Sequence, residues 1–147
     1  MSEATVPTPA RPLDAATRED LGKLLLRLTI GVLLLFHGCA KIAGGVGPVV
    51  GLLGQHQLPA VLAYGVYVGE VLAPLLLIAG LWTRAAALLA ATNMVVAIAL
   101  AHSSQFFTLG KEGGWALELQ GLYLLGALSV ALLGAGRFSV ARVGRWN

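Results

Sequence analysis

The chain has 147 residues, of which 57% are hydrophobic and 12% charged, with a formal net charge of +3. Soluble domains carry about 25% charged residues; here the apolar residues also fall into long blocks, which excludes an ordinary soluble domain and describes an integral membrane protein. Basic residues crowd at the two ends and no basic–aromatic stripe is present, so the charge reads as topology and contact with membrane lipids, not nucleic-acid binding.

Residues 1–20 are polar, contain Pro7, Pro9 and Pro12, and are expected to form a flexible cytoplasmic tail without the apolar core of a cleaved signal. A transmembrane domain is expected over 21–136. Its first span covers 21–43, with Thr17 or Asp20 as cap and the glycines from Gly44 as the stop. This span carries Arg27, His37 and Lys41, ionisable groups that cost several kcal/mol in hydrocarbon unless paired or wetted, by the usual order of magnitude. A loop, 49–58, follows. The second span, 60–82, opens after Pro59 and holds a lone carboxylate, Glu70. The short link at Trp82–Arg84 leads into a third span, 85–102, with Asn93 in its middle and His102 at its end. After a polar, glycine-bearing loop (103–114), the fourth span covers 115–133 and carries Glu118. A basic cytoplasmic tail, 137–147, ends the chain.

Each span has close to the ~20 residues that cross a bilayer, and backbone groups in lipid pair internally, so the spans are helices. Short links predict an all-α, antiparallel four-helix bundle. Arg11, Arg18, Lys23, Arg27, Arg84, Arg137, Arg142 and Arg145 lie on one predicted face; Lys41 and Lys111 lie on the other. The excess places both termini in the cytoplasm.

At ~1.5 Å per residue, His37 and Lys41 fall near the outer end of the first helix, with Glu70, His102 and Glu118 in the outer half of the others. Arg27 lies deeper and is expected to form a structural ion pair with Glu70. Gly31 and Gly38 share the face of Arg27 and Lys41 and allow a neighbouring helix close. Each of these groups also has a structural reading: Lys41 snorkelling, His37 packing, Glu118 exposed at the interface, Asn93 as interhelical glue. Trp82 and Trp115 read as interfacial anchors. Cys39 is the single cysteine, so an internal disulfide or cysteine cluster is excluded. No metal spacing, GxGxxG or phosphate loop occurs, so no metal or nucleotide is expected.

The order of Arg27, Gly31, His37, Gly38 and Lys41, then Glu70 to Gly80 and Arg84, then Glu118 and the run Gly134 to Ser139, resembles the DoxX family across about 21–139. The chain departs from many relatives after Ser139, with Val140 and Ala141 where an aliphatic residue and an aspartate are common. The resemblance implies a small four-helix protein of the bacterial inner membrane linked to redox work. Some relatives are a small subunit of thiosulfate:quinone oxidoreductase; others partner a membrane oxidoreductase complex. It implies quinone as a cofactor and a partner subunit or homo-oligomer. On that reading Glu70, His37 and Glu118 are the catalytic candidates, and His37, Lys41 and His102 the ligand-binding ones. A non-enzymatic scaffold and a small proton-coupled transporter are the competing classes; four spans are few for a transporter and no inverted repeat is evident.

Overall fold

The structure, a computed structural model, describes residues 14–141 and Trp146. Most of the expected N-terminal tail, together with Arg142 and Arg145, lies outside those residues. Among the described residues the regular elements are helices, joined by turns, with one isolated bridge, Leu109 to Trp115. Helix α1 runs Ala15–Gly44, α2 runs Gly47–Gln55, α3 is the helical segment Ala60–Ala79, α4 is Thr83–Ala101 and α5 is Glu118–Leu133. Three of these, α1, α3 and α4, are long and apolar enough to cross a membrane. The fourth apolar helix, α5, has 16 residues, about 24 Å at the helical rise.

Several boundaries differ from the sequence expectation, each for a local reason. The first helix begins at Ala15 because Asp14 caps it, accepting a hydrogen bond from the Thr17 N–H at 2.8 Å. Hydrogen bonds from Thr17 also hold the Asp14 carboxyl below its ordinary value. Residues 15–20 are therefore helix and not tail. The expected loop 49–58 is largely α2, because Pro48 sits in its first turn and supplies a ready helical φ. The fourth helix starts at Glu118 because residues before it turn back on themselves: Leu109 bridges Trp115, and the Trp115 indole donates to the Phe106 carbonyl at 2.8 Å. The start of the expected C-terminal tail is also held in place, since Arg137 bonds Asp20 and Thr17 at the head of α1.

Helix α1 packs on α3 and α5, and α4 packs on α3 and α5. The shared core is rich in alanine: Ala73, Ala86, Ala87, Ala90 and Ala127 are fully buried beside Leu34, Leu77 and Val130. Small side chains suit helices that associate in lipid, where tight van der Waals contact replaces the hydrophobic drive. The sharpest case is Gly38. A Cβ there would lie 2.7 Å from a Val71 methyl and run into the Glu70 carbonyl. The missing side chain lets α1 touch the backbone of α3 at Glu70.

Helix α3 is not uniform. It opens as a 3-10 turn, Ala60–Tyr64, and contains a π-helical turn, Val68–Leu72, centred on Glu70. A π turn inserts extra backbone per turn and re-aims the side chain it carries; such turns occur often at functional sites.

Gly38→Ala is expected to destabilise the protein by about 1–3 kcal/mol through overpacking, read as a lower melting temperature in detergent. Gly22→Ala, on the same helix with open space around it, is expected to leave the melting temperature unchanged or slightly raised.

Candidate functional site

Glu70 is 6% exposed, and an ionised carboxylate at such a place needs partners. Lys41 of α1 donates to its Oε2 at 2.5 Å, and Asn93 of α4 donates to its Oε1 at 3.2 Å. One carboxylate thus joins three helices. Gly69 lets Asn93 press against the α3 backbone, as a Cβ at Gly69 would overlap the Asn93 side chain. The Tyr67 hydroxyl donates to the Lys41 carbonyl at 3.2 Å, fixing the last turns of α1 against the start of α3.

The expected Arg27–Glu70 pair is not formed. Glu70 is bound at the level of Lys41, and Arg27 lies fourteen residues earlier on the same helix, about 20 Å away along its axis. Arg27 is 1% exposed and serves a different purpose. Its Nη2 donates to the Phe138 carbonyl at 2.7 Å and its Nη1 to the Ala135 carbonyl at 3.4 Å. Gly80 has φ +71 at the end of α3, and a Cβ there would strike the guanidinium. The C-terminal ends of α3 and α5 therefore both meet Arg27, and their partial negative charge offsets the buried cation. Val140 adds a backbone bond to Ala79 at 3.1 Å. This arrangement clasps residues 134–140 onto α1 and α3.

Beside Glu70 lies a cavity of about 160 Å³. Its polar lining comes from four helices or their ends: His37 of α1, Glu70 of α3, His102 after α4, and Gln120 and Tyr123 of α5. Leu34, Met94, Ala97 and Leu119 supply apolar walls. His37 is exposed, so the cavity reaches the surface there. The His37 ring stands edge-on to Tyr123, with centroids 5.7 Å apart and planes at 89°. The Tyr123 hydroxyl is 3.5 Å from His37 Nε2. His102 Nε2 lies 3.3 Å from the Gln120 amide nitrogen and its Nδ1 3.3 Å from Gln105 Oε1. An amide nitrogen only donates, so in this arrangement His102 Nε2 accepts from Gln120 and Nδ1 faces the Gln105 carbonyl oxygen.

Of the residues expected at the site, His37, Glu70 and His102 meet at the cavity. Lys41 does not line it; it bonds Glu70 Oε2. Glu118 stands apart and exposed, accepting the Trp115 N–H at 3.0 Å at the head of α5. Tyr123, Gln120 and Met94 were not singled out from the sequence. Gln120 and Tyr123 are three residues apart on α5 and so share a face, a weak signal once His102 had been placed at the same end. A second, larger groove of about 450 Å³ is lined by Ile42, Tyr67, Val71, Leu72 and Leu75. It is apolar and suits lipid chains rather than chemistry.

The DoxX family profile matches residues 22–103, the stretch that carries Arg27, His37, Gly38, Lys41, Glu70, Asn93 and His102. The chain belongs to the DoxX family. A Bacillus subtilis (strain 168) protein named "Putative oxidoreductase CatD" is 30% identical over 105 residues, 71% of this chain and 78% of that protein. No solved structure matches significantly. With family membership and its apolar helices, this DoxX protein is a membrane protein.

The two buried charges of this DoxX protein therefore act independently. Arg27→Ala is expected to raise hydrogen–deuterium exchange across residues 134–141, while Glu70→Gln leaves that segment protected. Equal loosening by both variants would restore an Arg27–Glu70 linkage.

Proposed function

We propose that this DoxX protein is a bacterial inner-membrane component of an oxidoreductase system, binding a quinone ring in the His37–Glu70–His102–Tyr123 cavity. The arrangement proposed is an antiparallel bundle of four spans, α1, α3, α4 and α5, with both termini cytoplasmic. Support for the orientation is the excess of lysine and arginine on one face. The cavity then opens in the outer half of the membrane.

The observation that carries this reading is the convergence of three proton-exchanging side chains on one cavity with apolar walls. A quinone brings two carbonyl oxygens that take up two electrons and two protons. The residues present fit such a group: Tyr123 and Gln120 offer hydrogen-bond donors, the imidazoles of His37 and His102 exchange protons, and Leu34, Met94 and Leu119 flank a flat ring. Glu70 is the proton-holding carboxylate. Lys41, whose side chain is 28% exposed, connects it to water. This chain holds no electron-carrier motif, so a partner subunit supplies the electrons. The relative named an oxidoreductase supports the redox class.

A second reading, a non-enzymatic scaffold, is favoured by one observation. Both Glu70 oxygens already have partners on other helices, which alone gives the carboxylate a structural use.

The two readings separate on Glu70→Gln and His37→Ala. The quinone reading expects each to weaken quinone binding by about tenfold or more, roughly 1.4 kcal/mol, with partner turnover falling in step. The scaffold reading expects a lower melting temperature with binding and turnover per folded molecule unchanged. Titration calorimetry and a thermal melt on the same preparations decide between them.

A further inference from the structure

Residues 103–117 join α4 to α5 and carry an apolar surface that the fold leaves uncovered. Phe107 is 95% exposed and Leu109 75% exposed, and Phe106 is exposed beside them. These side chains are held outward by the segment's own packing. The Phe106 ring stands edge-on to two neighbours, with its centroid 5.0 Å from Phe107 and 5.8 Å from Trp115. The Trp115 indole, bonded to the Phe106 carbonyl, locks that arrangement. An exposed apolar cluster of this kind marks contact with a membrane or with another protein.

The depth of the segment favours lipid. It leaves α4 at His102, whose ring meets Gln120. Gln120 lies one turn from Tyr123, and the Tyr123 hydroxyl meets His37. Helix α1 continues seven residues beyond His37, to Gly44, about 10 Å at the helical rise. The segment therefore emerges at a level that α1 still passes through. The surface of α1 at that level is apolar, with Ile42 exposed beside the lipid-suited groove of Tyr67, Val71, Leu72 and Leu75. The first turns of α5 are uncovered too, at Leu119 and Leu122.

The backbone fits the same place. Near hydrocarbon there is little water to bond, so irregular backbone has to pair within the protein. Here the Thr108 N–H donates to the Gln105 carbonyl at 3.1 Å, the Gly110 N–H to Gly114 at 2.7 Å and the Ala116 N–H to Thr108 at 3.1 Å. The Trp115 N–H uses the Glu118 carboxylate. The charged pair Lys111 and Glu112 falls at the tip of the Gly110–Gly114 turn, where long side chains reach headgroups and water.

We propose that residues 106–109 insert into the lipid leaflet on the cavity's side of the membrane, as an interfacial anchor between α4 and α5. The partner is lipid, engaged by Phe106, Phe107 and Leu109. This anchor is independent of what the cavity binds.

The test places spin labels on the full chain in nanodiscs, in a Cys39→Ser background that removes the native thiol. Phe107→Cys and Leu109→Cys report the segment. Leu122→Cys on α5 is the lipid reference, and Glu19→Cys at the polar head of α1 is the water reference. Access is read with oxygen, which concentrates in lipid, and with a nickel chelate, which stays in water. The oxygen-to-nickel ratio at 107 and 109 is expected to exceed that at Glu19 several-fold and to group with that at Leu122. Nickel access at 107 or 109 as high as at Glu19 overturns the proposal, because the segment then stands in water. Access of neither reagent also overturns it, because protein, such as a second copy of the chain, then covers the cluster. Both side chains project from the fold, so the labelled chains are expected to keep the parent melting temperature; if one does not fold, the other position decides.

Discussion

The carboxylate of Glu70 is the constraint on which the rest depends. A charge at a buried position within a membrane protein demands a partner, and here two helices supply one each. Lys41 comes from α1 and Asn93 from α4, so the three longest helices are tied at one level. For that to happen, α1 must come close enough to touch the α3 backbone, which Gly38 permits. The π turn at Val68–Leu72 then aims the carboxylate between its two partners. The cavity beside Glu70 is a consequence of the same geometry: the side chain points inward, and α5 closes the other side with Gln120 and Tyr123.

The opposite ends of the helices solve a different problem. Among the described residues no carboxylate bonds the buried Arg27; backbone carbonyls at Ala135 and Phe138 accept hydrogen bonds from its guanidinium. Two helix C-termini reach it, and their dipoles favour a cation. The result is a structural lock on the C-terminal segment. The protein thus divides its buried charge by function. One end uses a cation to fasten the chain; the other holds a carboxylate beside an accessible cavity.

Much of this was legible in the sequence. Long apolar blocks gave the helices, because a bilayer sets their length and forces internal backbone pairing. Lone polar residues within those blocks pointed to Glu70, His37 and His102, because such residues are too costly to be incidental. Pairing was not legible. Arg27 and Glu70 are the obvious opposite charges, but depth depends on where each helix starts and on the π turn, and neither is encoded in a simple period. Tyr123 and Gln120 escaped notice because aromatic and amide residues in a span are ordinary. Only their position opposite His37 and His102 gives them meaning. The hydrogen bond that Glu118 accepts from the Trp115 N–H was not legible for a similar reason: it depends on the turn before α5, which the sequence does not announce.

The most direct measurement is a density map of the protein extracted gently in its native lipid. The account predicts a quinone ring beside His37 and Tyr123, with Glu70 still bound to Lys41. A cavity filled by water alone or by an acyl chain, or a Glu70 turned towards Arg27, would contradict it.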